Sequence, residues 1–151
     1  MYYALFYSKL SYCALVWGTT TAKNYDKLIK LQKRVIRSFE NYHGRPRYLP
    51  THNLFDKHSL IKANQIYYYR LLLHIKKRRL HVSSLPISSP RYQLRHQKRM
   101  PPLMRTNYGR QDLEYQIPRL LNIVQNDIDF YAPRFKQFVK SFLLHSSITY
   151  Q

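Results

Sequence analysis

Between Lys23 and Phe39 the apolar residues recur at helical spacing, and this pattern constrains the fold more than any other stretch of the chain. At about 100° per residue, Tyr25, Leu28, Ile29, Val35, Ile36 and Phe39 share one arc. Lys23, Lys27, Lys30, Arg34 and Arg37 share the opposite arc, with Lys33 at its edge. A strand would send alternate side chains to opposite faces and mix the two sets, so the segment must be a helix with one buried and one cationic side. Asn24 is the expected N-cap, and Asp26 falls in the first turn, where the helix dipole favours a negative charge. Past Asp26 no acid stands among the cations to make the i,i+4 pairs that ordinarily neutralise such a face. The stripe therefore points to phosphate contact rather than to a solvated surface.

The flanking segments also read as helical. Residues 2–17 are apolar and aromatic almost all round and predict a helix buried on most of its circumference, ended by Gly18 and the Thr19–Thr21 run. Residues 42–51, with Gly44, Pro46 and Pro50, predict a loop, after which Thr51 caps a short turn carrying Leu54 and Phe55. Ser59 then opens a longer helix from Leu60 to about Leu80. Its middle, Ile66 to Leu73, is apolar on nearly every side and should be the core helix. Its end places Lys76, Lys77, Arg78 and Arg79 at the negative pole of the dipole. Pro86, Pro90, Pro101 and Pro102 forbid a continuous helix over 81–110, which reads as an irregular basic connector. A helix is expected from Pro118, a well-tolerated first position, and another from Pro133, with Phe135, Phe138, Val139 and Phe142 on one face. The expected fold is mostly α, an irregular bundle of four to six helices with a Pro-rich basic connector. Its parts would be 1–80, 81–110 and 111–151 within one domain.

Charge narrows the function. Twenty-six Lys and Arg stand against 7 Asp and Glu, a formal net charge of +19. No acid occurs between Asp56 and Asp112, a gap that holds many of the cations. Self-repulsion of this size favours an acidic partner, with nucleic acid first and an anionic membrane surface second. A membrane span is not expected over 2–17, because the run is short and Ser8, Lys9 and Ser11 interrupt it. Cys13 is the single cysteine, so no internal disulfide can form, and its apolar setting suggests a packed thiol.

Catalytic and metal constellations are poor. Asp127 and Asp129 point apart if helical, and divalent-metal phosphoryl transfer needs convergent carboxylates. The seven histidines show no compact ligand spacing, and the three glycines are isolated, so no phosphate loop exists. Most of the 15 tyrosines fall in apolar runs and suit a core, whereas Tyr92 and Tyr108, in the basic connector, are placed to stack on bases.

Several stretches occur together in order: Leu10-Ser-Tyr-Cys-Ala-Leu-Val-Trp-Gly18, Leu28-Ile-Lys-Leu-Gln-Lys-Arg-Val-Ile-Arg37, Leu54-Phe-Asp-Lys57, Arg105-Thr-Asn-Tyr-Gly-Arg-Gln111, then Tyr115 and Pro118-Arg-Leu-Leu-Asn122. This series resembles the segment following the palm in reverse transcriptases of non-LTR, jockey-like retrotransposons, including the arthropod copies called tick transposons. Tyr92-Gln-Leu-Arg95 stands where that family has a Tyr-Asn-Thr-Arg-like run, Leu121 replaces its usual Trp, and Arg110 replaces its Lys. The family's Tyr/Phe-x-Asp-Asp polymerase motif is absent from this sequence, as is an endonuclease domain. The resemblance implies a truncated copy or fragment corresponding to the thumb and the following connector, the part expected to grip a template–primer duplex.

The resulting expectation is a non-catalytic, nucleic-acid-binding remnant of an RNA-directed DNA polymerase, with no cofactor and no metal. Its phosphate contacts would be Lys27, Lys30, Arg34 and Arg37 on the stripe, Lys76, Lys77, Arg78 and Arg79 at a helix end, and Arg105 and Arg110 in the connector. The partner would be RNA, DNA or an RNA–DNA duplex, with the missing palm domain as a further partner and no membrane. The nucleus or cytoplasm suits such a chain better than secretion. Two rival readings remain: a structural module whose apolar first helix docks a protein, and the end of a longer active polymerase.

Overall fold

The computed structural model describes residues 2–45, 48–83, 98–124 and 126–145. The fold is mostly α and irregular, and no strand occurs among the described residues. The helices are α1 (Ser8–Ser11), α2 (Ala14–Trp17), α3 (Ala22–Phe39), α4 (Thr51–Lys57), α5 (Ala63–Arg78), α6 (Leu80–Ser83), α7 (Leu113–Val124) and α8 (Phe135–His145). A π-helical turn over Tyr3–Tyr7 precedes α1, and a 3₁₀ turn over Gly109–Gln111 precedes α7. The chain divides into two compact units within it. One holds the residues up to Arg70 together with those from Gln137, and the other runs from Leu71 to Lys136.

In the first unit, the single helix expected over 2–17 does not form. Tyr12 is extended and Cys13 sits in the left-handed region with φ 48°, which separates α1 from α2. The Trp17 indole N–H takes up the Tyr12 carbonyl at 2.8 Å, satisfying the acceptor that the break releases. Nor is the segment buried on most sides: Leu5, Tyr12 and Val16 are 61%, 75% and 79% exposed. Cys13 is likewise an exposed thiol, not a packed one. Gly18, which follows α2, is needed for space rather than for its dihedral. A Cβ there would lie 2.1 Å from the Tyr67 ring.

α3 starts at Ala22, earlier than Asn24 suggests. Thr21 occupies the cap position without a side-chain bond, and Asn24 lies inside the helix, donating to the Thr20 hydroxyl at 2.8 Å. The helix closes without glycine. Asn41 takes φ 51°, its N–H bonds the Ser38 carbonyl, and the Tyr42 N–H reaches back to the Arg37 carbonyl. These two bonds make a Schellman cap. α4 ends the same way, with Ser59 at φ 48°, Ser59 N–H on the Asp56 carbonyl and Leu60 N–H on the Phe55 carbonyl. Because Ser59 is the left-handed stop of α4, it cannot open α5, which begins at Ala63. Tyr2, Ile36, Leu54, Phe55 and Leu60 form one buried cluster, and Leu10, Ala14, Ile61, Ala63 and Ile66 form another. Gln65 joins α8 to this unit by donating to the Leu143 carbonyl at 2.5 Å.

In the second unit, Leu71, Leu72, Ile75, Leu120, Leu121 and Val124 are buried. α7 starts at Leu113 with Pro118 inside it, not at its first position. The Asp112 carboxylate accepts the Glu114 N–H and supplies an N-cap that the proline had obscured. Asn122 holds the Arg99 backbone at both ends, accepting its N–H and donating to its carbonyl, each at 2.8 Å.

Candidate nucleic-acid interface

The cationic stripe of α3 depends on what fixes the rotation of the helix about its axis. Gln32 lies at the centre of the apolar arc and is fully buried. Its Nε2 donates to the Tyr2 hydroxyl at 2.7 Å and to the Ile61 carbonyl at 2.8 Å, while its Oε1 accepts the Ala63 N–H at 2.9 Å. One side chain thus ties α3 to the N-terminal turn and to the approach of α5. Burial pushes the Tyr2 phenol up to about 12, with the Gln32 bond opposing that shift. Rotation of α3 would break three buried hydrogen bonds, so the opposite arc stays turned to solvent.

Lys23, Lys27, Lys30 and Arg34 are exposed, and Lys33 and Arg37 are half-buried. From Lys27 to Arg37 the stripe runs about 15 Å along the helix. Lys27, Lys30, Arg34 and Arg37 make no ion pair among the described residues, and neither does Asp26. The Arg37 Nε is enclosed and has no partner among the described residues. The acid nearest the end of α3 is Glu40, and it is committed elsewhere. It pairs with Lys57 at 3.1 Å and with His58, contacts that hold its carboxyl below the usual range, the His58 bond first.

The cations at the end of α5 separate into different roles. Lys76 is half-buried, donates to the Ala132 carbonyl at 3.2 Å and lies 4.3 Å above the Phe135 ring, so its charge is engaged within its own unit. Lys77, Arg78 and Arg79 are exposed. Arg79 ends the helix at φ 55°. Arg78 and Arg79 border a cleft of about 630 Å³, lined further by His81, Phe130 and Tyr131. The His81 ring stacks on Phe130 at 4.7 Å and 9° and meets Tyr131 edge-on at 5.6 Å. Burial, then the charges of Arg99 and Lys76, lower the His81 pKa and favour the neutral ring.

Arg105 and Arg110 are exposed, on either side of a turn that presents Tyr108 at 84% exposure. Tyr92 lies outside the described residues. The structure thus groups the stripe residues on one face, gathers Arg78 and Arg79 at a cleft, and leaves Arg105 and Arg110 on a separate turn. Sequence reasoning missed Gln32, His81, Phe130 and Tyr131. Gln32 alone left a signal, a polar residue in the middle of an apolar arc. Among the described residues no three His, Cys, Asp or Glu side chains converge as metal ligands, and no helix is long and apolar enough to cross a membrane. Comparison with protein-family models, curated proteins and solved structures finds no match to this chain.

Proposed function

We propose that this chain is a non-catalytic nucleic-acid-binding element that holds a duplex by its sugar-phosphate backbone, and that it is a remnant of the thumb-like region of a retrotransposon reverse transcriptase. The observation that carries the binding is the α3 stripe, where Lys27, Lys30, Arg34 and Arg37 share one arc and make no ion pair among the described residues. Helix-borne cations with unmatched charge release counterions when they meet phosphates, and contacts of this kind position a duplex without reading its sequence. The order of motifs from Leu10 to Asn122 supports the retrotransposon origin.

The test is the salt dependence of binding to an RNA–DNA duplex, followed by fluorescence anisotropy. Four to six neutralised phosphates give log K against log salt a slope of roughly −4 to −5. Reversing two stripe charges, Lys30→Glu with Arg34→Glu, should weaken binding for every sequence alike and flatten the slope by about two. A salt-independent affinity refutes the reading. A second reading, protein docking, draws on the exposed Leu5, Tyr12 and Val16. It gains ground if the double reversal leaves duplex binding intact.

A further inference from the structure

The cleft at the end of α5 has a feature that the α3 stripe lacks, an aromatic wall. Its volume, about 630 Å³, lies within the range of small-ligand pockets. His81 already spends one face on Phe130, but Tyr131 is 79% exposed and meets His81 only edge-on, so its ring remains available for stacking. The backbone that carries the ring is held: the Tyr131 N–H bonds the Asp129 carboxylate at 2.8 Å, and the next carbonyl, of Ala132, accepts Lys76. On the other side, Arg99 donates to the His81 carbonyl at 3.0 Å and fixes the turn that carries the imidazole. The rim carries Arg78 and Arg79, both exposed, and no acid lines the cleft among the described residues.

An aromatic wall beside paired guanidinium groups matches a ligand that is flat and apolar at one end and anionic at the other. A base within a duplex is already stacked on both faces and cannot enter. We propose that this cleft takes an unpaired nucleotide, at a single-stranded overhang, with its base stacked on Tyr131 and its phosphate held by Arg78 and Arg79. The inference rests on the proposed duplex binding and adds a second subsite to it, one that distinguishes a frayed or overhanging end from a blunt one. Stacking of this kind tolerates any base, so the preference is for strandedness rather than sequence.

The experiment compares one RNA–DNA duplex, blunt or carrying a short overhang with 2-aminopurine at its first unpaired position. The overhang should tighten binding by about 5- to 150-fold, the range for one stacked base, and quench the 2-aminopurine. Tyr131→Ala should abolish both the gain and the quench while leaving blunt-duplex affinity unchanged. Tyr131→Phe should keep them, and Arg78→Gln should reduce the gain. Tyr131 is solvent-facing, so these variants spare the fold. Equal binding of blunt and overhanging duplexes overturns the cleft proposal alone. Loss of both affinities together in Tyr131→Ala also overturns it. Failure to bind the blunt duplex overturns the duplex reading, and the cleft proposal falls with it.

Discussion

α3 and α5 are close in length, 18 and 16 residues, and both carry a cluster of cations, yet they use charge differently. In α3 the apolar residues occupy one arc, which leaves a full-length strip of surface where Lys27, Lys30 and Arg34 stand exposed. The first half of α5 has no such strip. Ala63, Gln65, Ile66, Tyr67 and Tyr68 are buried and point round the whole circumference. Only past Arg70 does burial contract to one arc, of Leu71, Leu72 and Ile75, and only there do cations gather. One of these, Lys76, is then held by a carbonyl and an aromatic face. Net charge alone therefore does not draw a footprint. Where each cation falls against the apolar period decides whether it meets solvent or the protein.

The comparison is most sharply broken by truncating each helix. Leu71→Ala opens a cavity at a fully buried position and should cost about 2–5 kcal/mol, read from urea unfolding. Leu31→Ala in α3, at a 49% exposed position, should stay within about 0.5 kcal/mol. Similar costs would mean that the two helices are not distinguished by burial. Next comes Gln32→Leu, which keeps the volume but leaves the Ala63 N–H, the Ile61 carbonyl and the Tyr2 hydroxyl without their partner. At about 1–3 kcal/mol for a group stranded in this way, a loss near 3 kcal/mol is expected. Hydrogen exchange should also quicken in α3 ahead of the second half of α5. If neither changes, the phase of the stripe is set by apolar packing alone.

Much of this contrast was legible in the residues. The 3.6-residue period exposed both arcs of α3, and the unbroken apolar run from Ile66 to Leu73 marked the core helix. The helix ends were not legible, because three of them depend on left-handed residues that are not glycine: Asn41, Ser59 and Arg79. Ser59 looked like a start because a serine commonly caps a helix N-terminus, yet its backbone stops α4. The break at Cys13 was hidden in the same way, inside a stretch whose hydrophobicity suggested continuity. In the candidate site, the stripe could be read from spacing within one helix. The cleft could not, because His81, Phe130 and Tyr131 meet only through the fold, and no local pattern joins residues so far apart in the chain.

Acid should separate the two units, with a smaller effect. His81, in the second unit, has its pKa lowered by burial, so the unfolded chain binds a proton that the folded chain resists. Its contribution is present above the ordinary histidine value of 6.5 and is lost as pH falls from there towards the lower folded value. Glu40, in the first unit, has its carboxyl held low, by His58 first and then Lys57. Its contribution persists until pH falls below the ordinary 4.5 and is lost through the lower folded value. Hydrogen exchange along a pH series should therefore loosen α6 and α7 before α3 and α4. His81→Phe should remove the early loosening, and Glu40→Gln the late one. A simultaneous loss in both units would show that neither pairing controls its own unit.

The smallest effect concerns how the two helices stop. α3 ends at Asn41 with φ 51° and α5 at Arg79 with φ 55°. Asparagine tolerates that conformation, whereas a long side chain with a Cβ is strained in it by about 1–2 kcal/mol. Glycine removes the strain but gives the unfolded chain more freedom to lose, which takes back roughly half of the gain. Arg79→Gly should therefore raise stability by about 0.5 kcal/mol, and Asn41→Gly should leave it unchanged within error, both from urea unfolding. The two variants then differ in binding. Arg79→Gly deletes a cation at the rim of the cleft and should weaken capture of an overhang, even though the protein is more stable. Asn41→Gly touches no cation and should bind as before. A chain that is stabilised at Arg79 and yet binds overhangs as tightly as the parent would show that the end of α5 carries its charge only for the helix it closes.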